Sequence, residues 1–209
     1  MTNEIVTLIT GANQGVGFET SKELAQKGQH VLLGSRNKER GEKAVQELKK
    51  LKLNVDLIQI DVTDKTSIKQ AADKINSDYG YLSVLINNAG MTNDAHQKPS
   101  LMSTDVMREE YNVNFFGLID VTQAMLPLLR EVDSAKIINL SSNMGSLSLA
   151  SDPKSRFYQV SSLGYQSSKA AVNFATICFR KELADTNITV ISVNPGWTAT
   201  GFGGRPADA

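Results

Sequence analysis

A short β-forming run, Ile5-Val6-Thr7-Leu8-Ile9, passes without a break into Thr10-Gly11-Ala12-Asn13-Gln14-Gly15-Val16-Gly17, and then into a helical pattern that ends near Gly28. Nearly every residue of the run is apolar or β-branched, as in a strand buried on both faces of a parallel sheet. The glycines permit what a side chain would forbid. Gly11 suits the tight turn, Gly15 the close approach of backbone N–H groups to a phosphate, and Gly17 the packing of helix on strand. A phosphate at that point also meets the positive end of the helix. A glycine cluster is as often a plain turn, but a strand before it and a helix after it are the context that a nucleotide site requires.

Further strand-forming runs stand at 30–34, 54–61, 82–86, 136–140 and 188–193. They alternate with helical patterns at 38–50, from Thr63-Asp64 to about 77, at 104–129 and after Gly164. Strands and helices in alternation imply an α/β fold: a Rossmann-like, doubly wound parallel sheet of at least six strands with helices on both faces, in three layers. The 209 residues are 41% hydrophobic and contain neither a linker nor an internal repeat, so one domain spanning 1–209 is expected. Lys plus Arg balance Asp plus Glu at 22 each, which gives no electrostatic case for nucleic acid or an acidic membrane surface. The single cysteine, Cys178, excludes an internal disulfide and sits among apolar helix residues, where a core position is expected. His30 and His96 are isolated, and no metal-ligand spacing appears. No apolar run approaches the ~20 residues of a membrane span, and no leader pattern opens the chain, so a soluble, cytoplasmic protein is expected.

In an open α/β sheet, ligands gather at the carboxyl ends of the strands. The second strand ends in Ser35-Arg36, about where a dinucleotide fold reads the adenosine ribose. No acid stands there to bond a 2′-hydroxyl; a hydroxyl and a guanidinium fork suit a 2′-phosphate, which favours NADP(H) over NAD(H). The charged face of the following helix, with its Glu39/Lys43 pair, is read as solvation only. The third strand ends in Asp61-Val62 and the fourth in Asn87-Asn88-Ala89-Gly90, both on the cofactor side. Asn114 lies midway along the 104–129 helix among apolar neighbours, with no propensity reason to be there. Ser141-Ser142 end the fifth strand and Asn194-Pro195-Gly196-Trp197 the sixth. Residues 143–163 are Ser-rich and punctuated by glycine, which reads as a surface excursion and not a packed element.

Tyr165 and Lys169 stand four residues apart at the start of a helical pattern, hence on one face. A free phenol has a pKa of ~10, and bringing it towards 7 needs about 4 kcal/mol. An ammonium at ~4 Å supplies an energy of that order at an effective dielectric of ~20. The pair can therefore act as a tuned acid and base. Any helix can carry such a pair by chance; Tyr158, followed four residues later by Ser162, is the internal contrast.

Together these stretches resemble the short-chain dehydrogenase/reductase family in its one-domain form, over essentially all of residues 5–201. The resemblance rests on Thr10-Gly-Ala-Asn-Gln-Gly-Val-Gly17, Asn87-Asn-Ala-Gly90, Asn114, Ser142, Tyr165-xxx-Lys169 and Pro195-Gly196. It implies that Tyr165 passes the proton to or from the substrate oxygen, and that Lys169 lowers the phenol's pKa and bonds the nicotinamide ribose. It further implies that Ser142 holds the substrate carbonyl and that Asn114 holds a water linking Lys169 to solvent. Asp61 and Val62 would flank the adenine, Asn88, Ala89 and Gly90 the adenosine ribose side, and Thr200 the carboxamide. Gly11, Asn13, Gln14, Gly15, Val16 and Gly17 would cradle the phosphates, with Pro195 and Gly196 also on the cofactor.

Ser35-Arg36 and Pro195-Gly196-Trp197 are most similar to NADPH-dependent carbonyl reductases. A small-molecule carbonyl or alcohol substrate follows, with a non-catalytic NADP-binding sensor of the same fold as the rival reading. Two departures stand out. The 143–164 segment is longer than the family's shortest version, making Phe157 and Tyr158 candidates for a substrate flap, and the family's last helix and seventh strand are not found before Ala209. Fold analogy implies a homo-oligomer, whereas the longer flap resembles relatives that stay monomeric.

Overall fold

The structure is a computed structural model that describes residues 4–94 and 97–196. Six strands, β1 (Val6–Ile9), β2 (His30–Ser35), β3 (Val55–Gln59), β4 (Val84–Asn87), β5 (Ala135–Leu140) and β6 (Ile188–Val193), form one sheet in the order β3-β2-β1-β4-β5-β6. All five pairings are parallel. Connecting them are α1 (Gly15–Gln26), α2 (Lys38–Lys50), α3 (Lys65–Tyr79), α4 (Thr104–Tyr111), α5 (Gly117–Leu129), α6 (Leu147–Ser151) and α7 (Leu163–Glu182). The doubly wound, three-layer α/β/α reading therefore holds.

Strand periodicity explains the two cores. Side chains alternate between faces, so one row of paired residues, Leu32, Leu8, Leu85, Ile137 and Val190, points to a single side. It packs with Ile68 and Ile75 of α3, Val121 and Met125 of α5, and Phe179 of α7. The next row, Leu33, Ile9 and Ile86, points the other way and packs with Ala25 of α1 and Ala44, Val45 and Leu48 of α2. Side-chain caps fix where helices start: Asn37 accepts the Arg40 N–H and Asp64 the Thr66 N–H. Gly80, with φ +77°, closes α3.

The chain lays down β1, β2 and β3 in one direction and then places β4 on the other side of β1. The crevice opened by this reversal, at the carboxyl ends of β1 and β4, is where such sheets bind ligands. Asn87 was expected to face it, but its side chain is buried under it. Its Nδ2 donates to Thr122 of α5 (3.0 Å) and to Asn139 of β5 (2.9 Å), and Asn139 donates to Thr176 of α7 (2.9 Å). A buried carboxamide must find such partners, and in doing so it ties both helices to the sheet.

Three expectations need correction. The run 104–129 is not one regular helix: a π-helical segment, Asn112–Phe116, separates α4 from α5. The extra residue in the turn re-aims the side chains and brings Asn114 inward. Residues 143–163 are partly ordered as a 3₁₀ turn (Asn143–Gly145) and α6, with Phe157 buried and Tyr158 exposed. Cys178 is exposed: the buried face of α7 is that of Val172, Ala175 and Phe179, and Cys178 lies with Phe174 and Ile177 on the exposed side. Among the described residues no helix is long and apolar enough to cross a membrane.

Gly117 begins α5 where a Cβ would stand 2.7 Å from the Val62 carbonyl oxygen. Helix propensity favours alanine there by ~1 kcal/mol, whereas overpacking against backbone costs ~1–3 kcal/mol. The clash wins, so Gly117→Ala lowers the urea midpoint at unchanged slope.

Candidate active site

The glycine turn is built as its residues require. Gly11 and Gly15 have φ near +60°, a conformation other residues adopt with strain. Gly17 leaves no space: a Cβ there would lie 2.5 Å from Asn88 Nδ2 and 2.8 Å from Ala12 Cα. Across the crevice the Thr10 hydroxyl accepts the backbone N–H groups of Asn88 (3.1 Å) and Ala89 (3.0 Å), and Asn88 Nδ2 donates to the carbonyls of Thr10 (2.8 Å) and Gly11 (3.0 Å). Asn88 thus spends its side-chain donors on the turn itself, leaving backbone to face a ribose. α1 starts at Gly15 with no side-chain cap and no acid in its first turn, which suits an anion.

At the adenosine side, the expected pair separates. The Ser35 side chain is fully buried, its Oγ 2.9 Å from the Asn37 carbonyl and 3.3 Å from Asn13 Oδ1, so it is not offered to a phosphate. Arg36 is exposed, with Nε 3.9 Å from Asp61 Oδ2. Asp61 holds its own turn, accepting from the Thr63 N–H (2.9 Å) and hydroxyl (2.7 Å), and Val62 joins the core against Gly117. A groove of about 290 Å³ beside the turn is lined by Asn13, Gln14, Phe18, Arg40, Lys43, Ala44 and Glu47. Arg40 and Lys43 were missed because the charged face of α2 reads as solvation. The available signal was Arg40, one helical turn beyond Arg36.

At the other end, Asn114, Ser142, Tyr165 and Lys169 converge from the π segment, the end of β5 and the first turns of α7. Gly145 allows the approach, since a Cβ there would lie 2.6 Å from the Lys169 carbonyl carbon. Ser142 caps the 3₁₀ turn through the Met144 N–H (3.1 Å), and its hydroxyl acts on the Tyr165 phenol so as to favour the ionised form. Ser141 turns inward to the Lys169 carbonyl (3.4 Å). Lys169 Nζ donates to the Leu140 carbonyl (2.8 Å) and lies 5.7 Å from the Tyr165 ring centre. Gly90 passes close by, its Cβ position 3.4 Å from Asn114 Oδ1 and 3.7 Å from Lys169 Nζ. Asn114 accepts the Met91 N–H (2.8 Å) and donates to the Met91 carbonyl (2.9 Å) and the Ser168 hydroxyl (3.0 Å). Both amide donors are therefore committed to the protein. Pro195 and Gly196 are exposed beyond β6, whereas Thr200, Trp197 and His96 lie outside the described residues.

Electrostatics here differ from the simple expectation. Burial pushes the Tyr165 phenol above its ordinary value, the Glu110 charge adds to this, and the Ser142 hydrogen bond opposes both. Burial also pulls Lys169 down to about 8. The lysine is turned to a backbone carbonyl, and desolvation disfavours its charged form.

A profile of the short chain dehydrogenase family matches residues 5–207. The chain belongs to that family. Its relatives include the short-chain dehydrogenase anuI of Penicillium roqueforti, 35% identical over 205 residues, which are 95% of this chain and 81% of that protein. Another is the 3-oxoacyl-[acyl-carrier-protein] reductase FabG of Thermotoga maritima, 35% identical over 199 residues, 93% of this chain and 74% of FabG. Among solved structures, NADPH-bound carbonyl reductase from chicken fatty liver superposes with a TM-score of 0.85 at 29% identity, covering 97% of this chain and 83% of that one. As a short-chain dehydrogenase the protein is an oxidoreductase acting on small molecules.

Lys169 makes a stability prediction. Its pKa is lower folded than its ordinary 10.5, so the cost of burying the ammonium is full below about 8 and fades as pH rises towards 10.5. Lys169→Met is therefore more stable than the parent at pH 7, by roughly 3 kcal/mol at most. The gap narrows in unfolding curves taken near pH 10.

Proposed function

We propose that this short-chain dehydrogenase is an NADP(H)-dependent enzyme that interconverts a carbonyl compound and its alcohol, with Tyr165 as proton donor and acceptor. The observation that carries the reading is the convergence of Ser142, Tyr165 and Lys169 at the edge of the same crevice as the glycine turn, with Lys169 Nζ 5.7 Å from the Tyr165 ring centre. Two hydroxyls so placed can both reach one substrate oxygen: Ser142 donates to it and Tyr165 supplies the proton.

The nicotinamide group supplies the hydride when bound. The chain fits a dinucleotide, because the space that a Cβ would fill at Gly17 and Gly11 is closed to side chains. Gly11, Asn13, Gln14, Gly15, Val16 and Gly17 would hold the phosphates, with Ala89 and Gly90 lining the ribose side and Asp61 and Val62 the adenine side. Lys169 would bond the nicotinamide ribose. Its lowered pKa leaves it able to give up or retake a proton near neutral pH, which suits a relay for reprotonating Tyr165.

NADP(H) is preferred over NAD(H) on charge. Arg36 is exposed at the end of β2, Arg40 and Lys43 line the groove beside the glycine turn, and a 2′-phosphate is the dianion these cations would pair with. The substrate class is a small carbonyl compound.

Tyr165→Phe lowers turnover by ~10²–10⁴-fold, while NADPH titration by nicotinamide fluorescence stays unchanged. Surviving turnover would overturn the mechanism. The parent protein binds NADPH more tightly than NADH. Arg36→Ala combined with Arg40→Ala weakens NADPH binding by about tenfold or more while sparing NADH, since each charge-assisted bond is worth ~1.5–3 kcal/mol.

A further inference from the structure

Within the first turn of α7, Gln166 Oε1 accepts the Ser162 N–H (2.9 Å), but the residue at the N-cap does not cap the N–H groups that follow it. Ser162 stands at the N-cap of α7, yet its side chain accepts no helix N–H. The hydroxyl donates instead to Asp94, lying 2.6 and 2.5 Å from its two carboxylate oxygens. Asp94 Oδ2 also accepts the backbone N–H of Tyr165 (3.3 Å). A residue from the loop after β4 therefore does the capping, and it does so at the residue that carries the phenol. Asp94 is almost fully buried.

Asp94 is held in turn. Glu110 of α4 is fully buried, and its Oε1 accepts the N–H groups of Asn93 (2.6 Å) and Asp94 (3.1 Å). Its other oxygen rests against Gly164, occupying the place a Cβ would take. Glu110 and Asn114 stand four residues apart, and between them they grip the backbone of 91–94 at both ends. A buried carboxylate is costly unless donors compensate it, and Glu110 draws its donors from this loop.

We infer that Glu110 and Asp94 are positioning residues for the reaction: a buried carboxyl pair that hangs the first turn of α7, and with it the Tyr165 phenol, on the loop after β4. The inference rests on Tyr165 being the proton donor. Glu110 acts on the phenol in a second way, because its negative charge favours the protonated form. Burial, and then the charge of Asp94, raise the Glu110 carboxyl itself, against the hydrogen bonds from Asn93 and Asp94. Among the described residues, the titratable groups facing Glu110 are Asp94 from the loop and Tyr165 from α7. Those facing Tyr165 are Glu110 and Lys169.

The test compares Asp94→Asn, Glu110→Gln and Tyr165→Phe in the full chain, using a carbonyl substrate found by screening with NADPH. In D94N the cap weakens, and kcat falls by about tenfold or more, as expected for a displaced acid. KM and NADPH binding stay within about twofold of the parent, since they do not depend on the phenol's exact place. E110Q keeps the acceptor and removes the charge, so the phenol ionises more readily and the high-pH limb of the kcat profile for carbonyl reduction moves to lower pH.

An unchanged kcat in folded D94N, or an unmoved limb in folded E110Q, overturns the inference. If D94N does not fold, Ser162→Ala replaces it: a fall in kcat supports the inference and an unchanged kcat overturns it. Y165F separates the two levels. Turnover that survives in Y165F removes the underlying mechanism, whereas turnover lost in Y165F but kept in D94N removes only the role given to the carboxyl pair.

Discussion

The knot between Thr10 and Asn88 is the contact on which the rest depends. Where the strand order reverses, two backbone segments run side by side with N–H and carbonyl groups that the sheet no longer pairs. Buried polar groups left unpaired cost more than a single hydrogen bond gains. One threonine hydroxyl and one carboxamide satisfy four of them. The same knot holds the glycine turn open at α1 and brings Gly90 near Asn114 and Lys169. Cofactor-side turn and acid–base side of the crevice are thus one structure, joined through a few ångströms of polar contact.

A second theme is that polar side chains here do tertiary work under the crevice. Asn87 and Asn139 bind α5 and α7 to the sheet, Asn114 fastens the 91 backbone to α7, and Asp94 caps α7 from a distant loop. Each is buried, so each holds its geometry without competition from water. The result is a rigid cup around Tyr165 and Lys169, in which burial itself moves both groups' proton affinities. Desolvation raises the phenol and lowers the lysine, so two groups that titrate close together when free are driven apart, the lysine now below the phenol. This differs from a simple picture in which the lysine's charge pulls the phenol down, and it follows from where Nζ points.

The alternation of apolar strands and amphipathic helices was legible because burial on two faces imposes period and composition together. The glycine turn was legible because only glycine fits a positive φ and a crowded backbone. Other readings failed for definite reasons. Cys178 was misplaced because α7 also carries Phe174 and Ile177 on its exposed side, so periodicity does not say which apolar face meets the sheet. Ser35 was assigned to a ligand because strand-end position does not tell which way a small side chain turns. Arg40 was overlooked because a cation bordering a groove and a cation in solvent look alike in a sequence. Asp94 and Glu110 carry no local pattern; their partners are 68 and 16 residues away.

The sequence alone determined the fold class, the glycine turn and the tyrosine–lysine spacing, because each is encoded by backbone geometry or by helical and strand periodicity. Tertiary structure decided which polar side chains face the crevice and which are spent holding it. It decided that a π segment turns Asn114 inward, and that an acceptor for the first turn of α7 comes from the loop after β4. The physical reason is the same each time: burial makes every polar group seek a partner, and the partner that wins is set by distance in space, not along the chain.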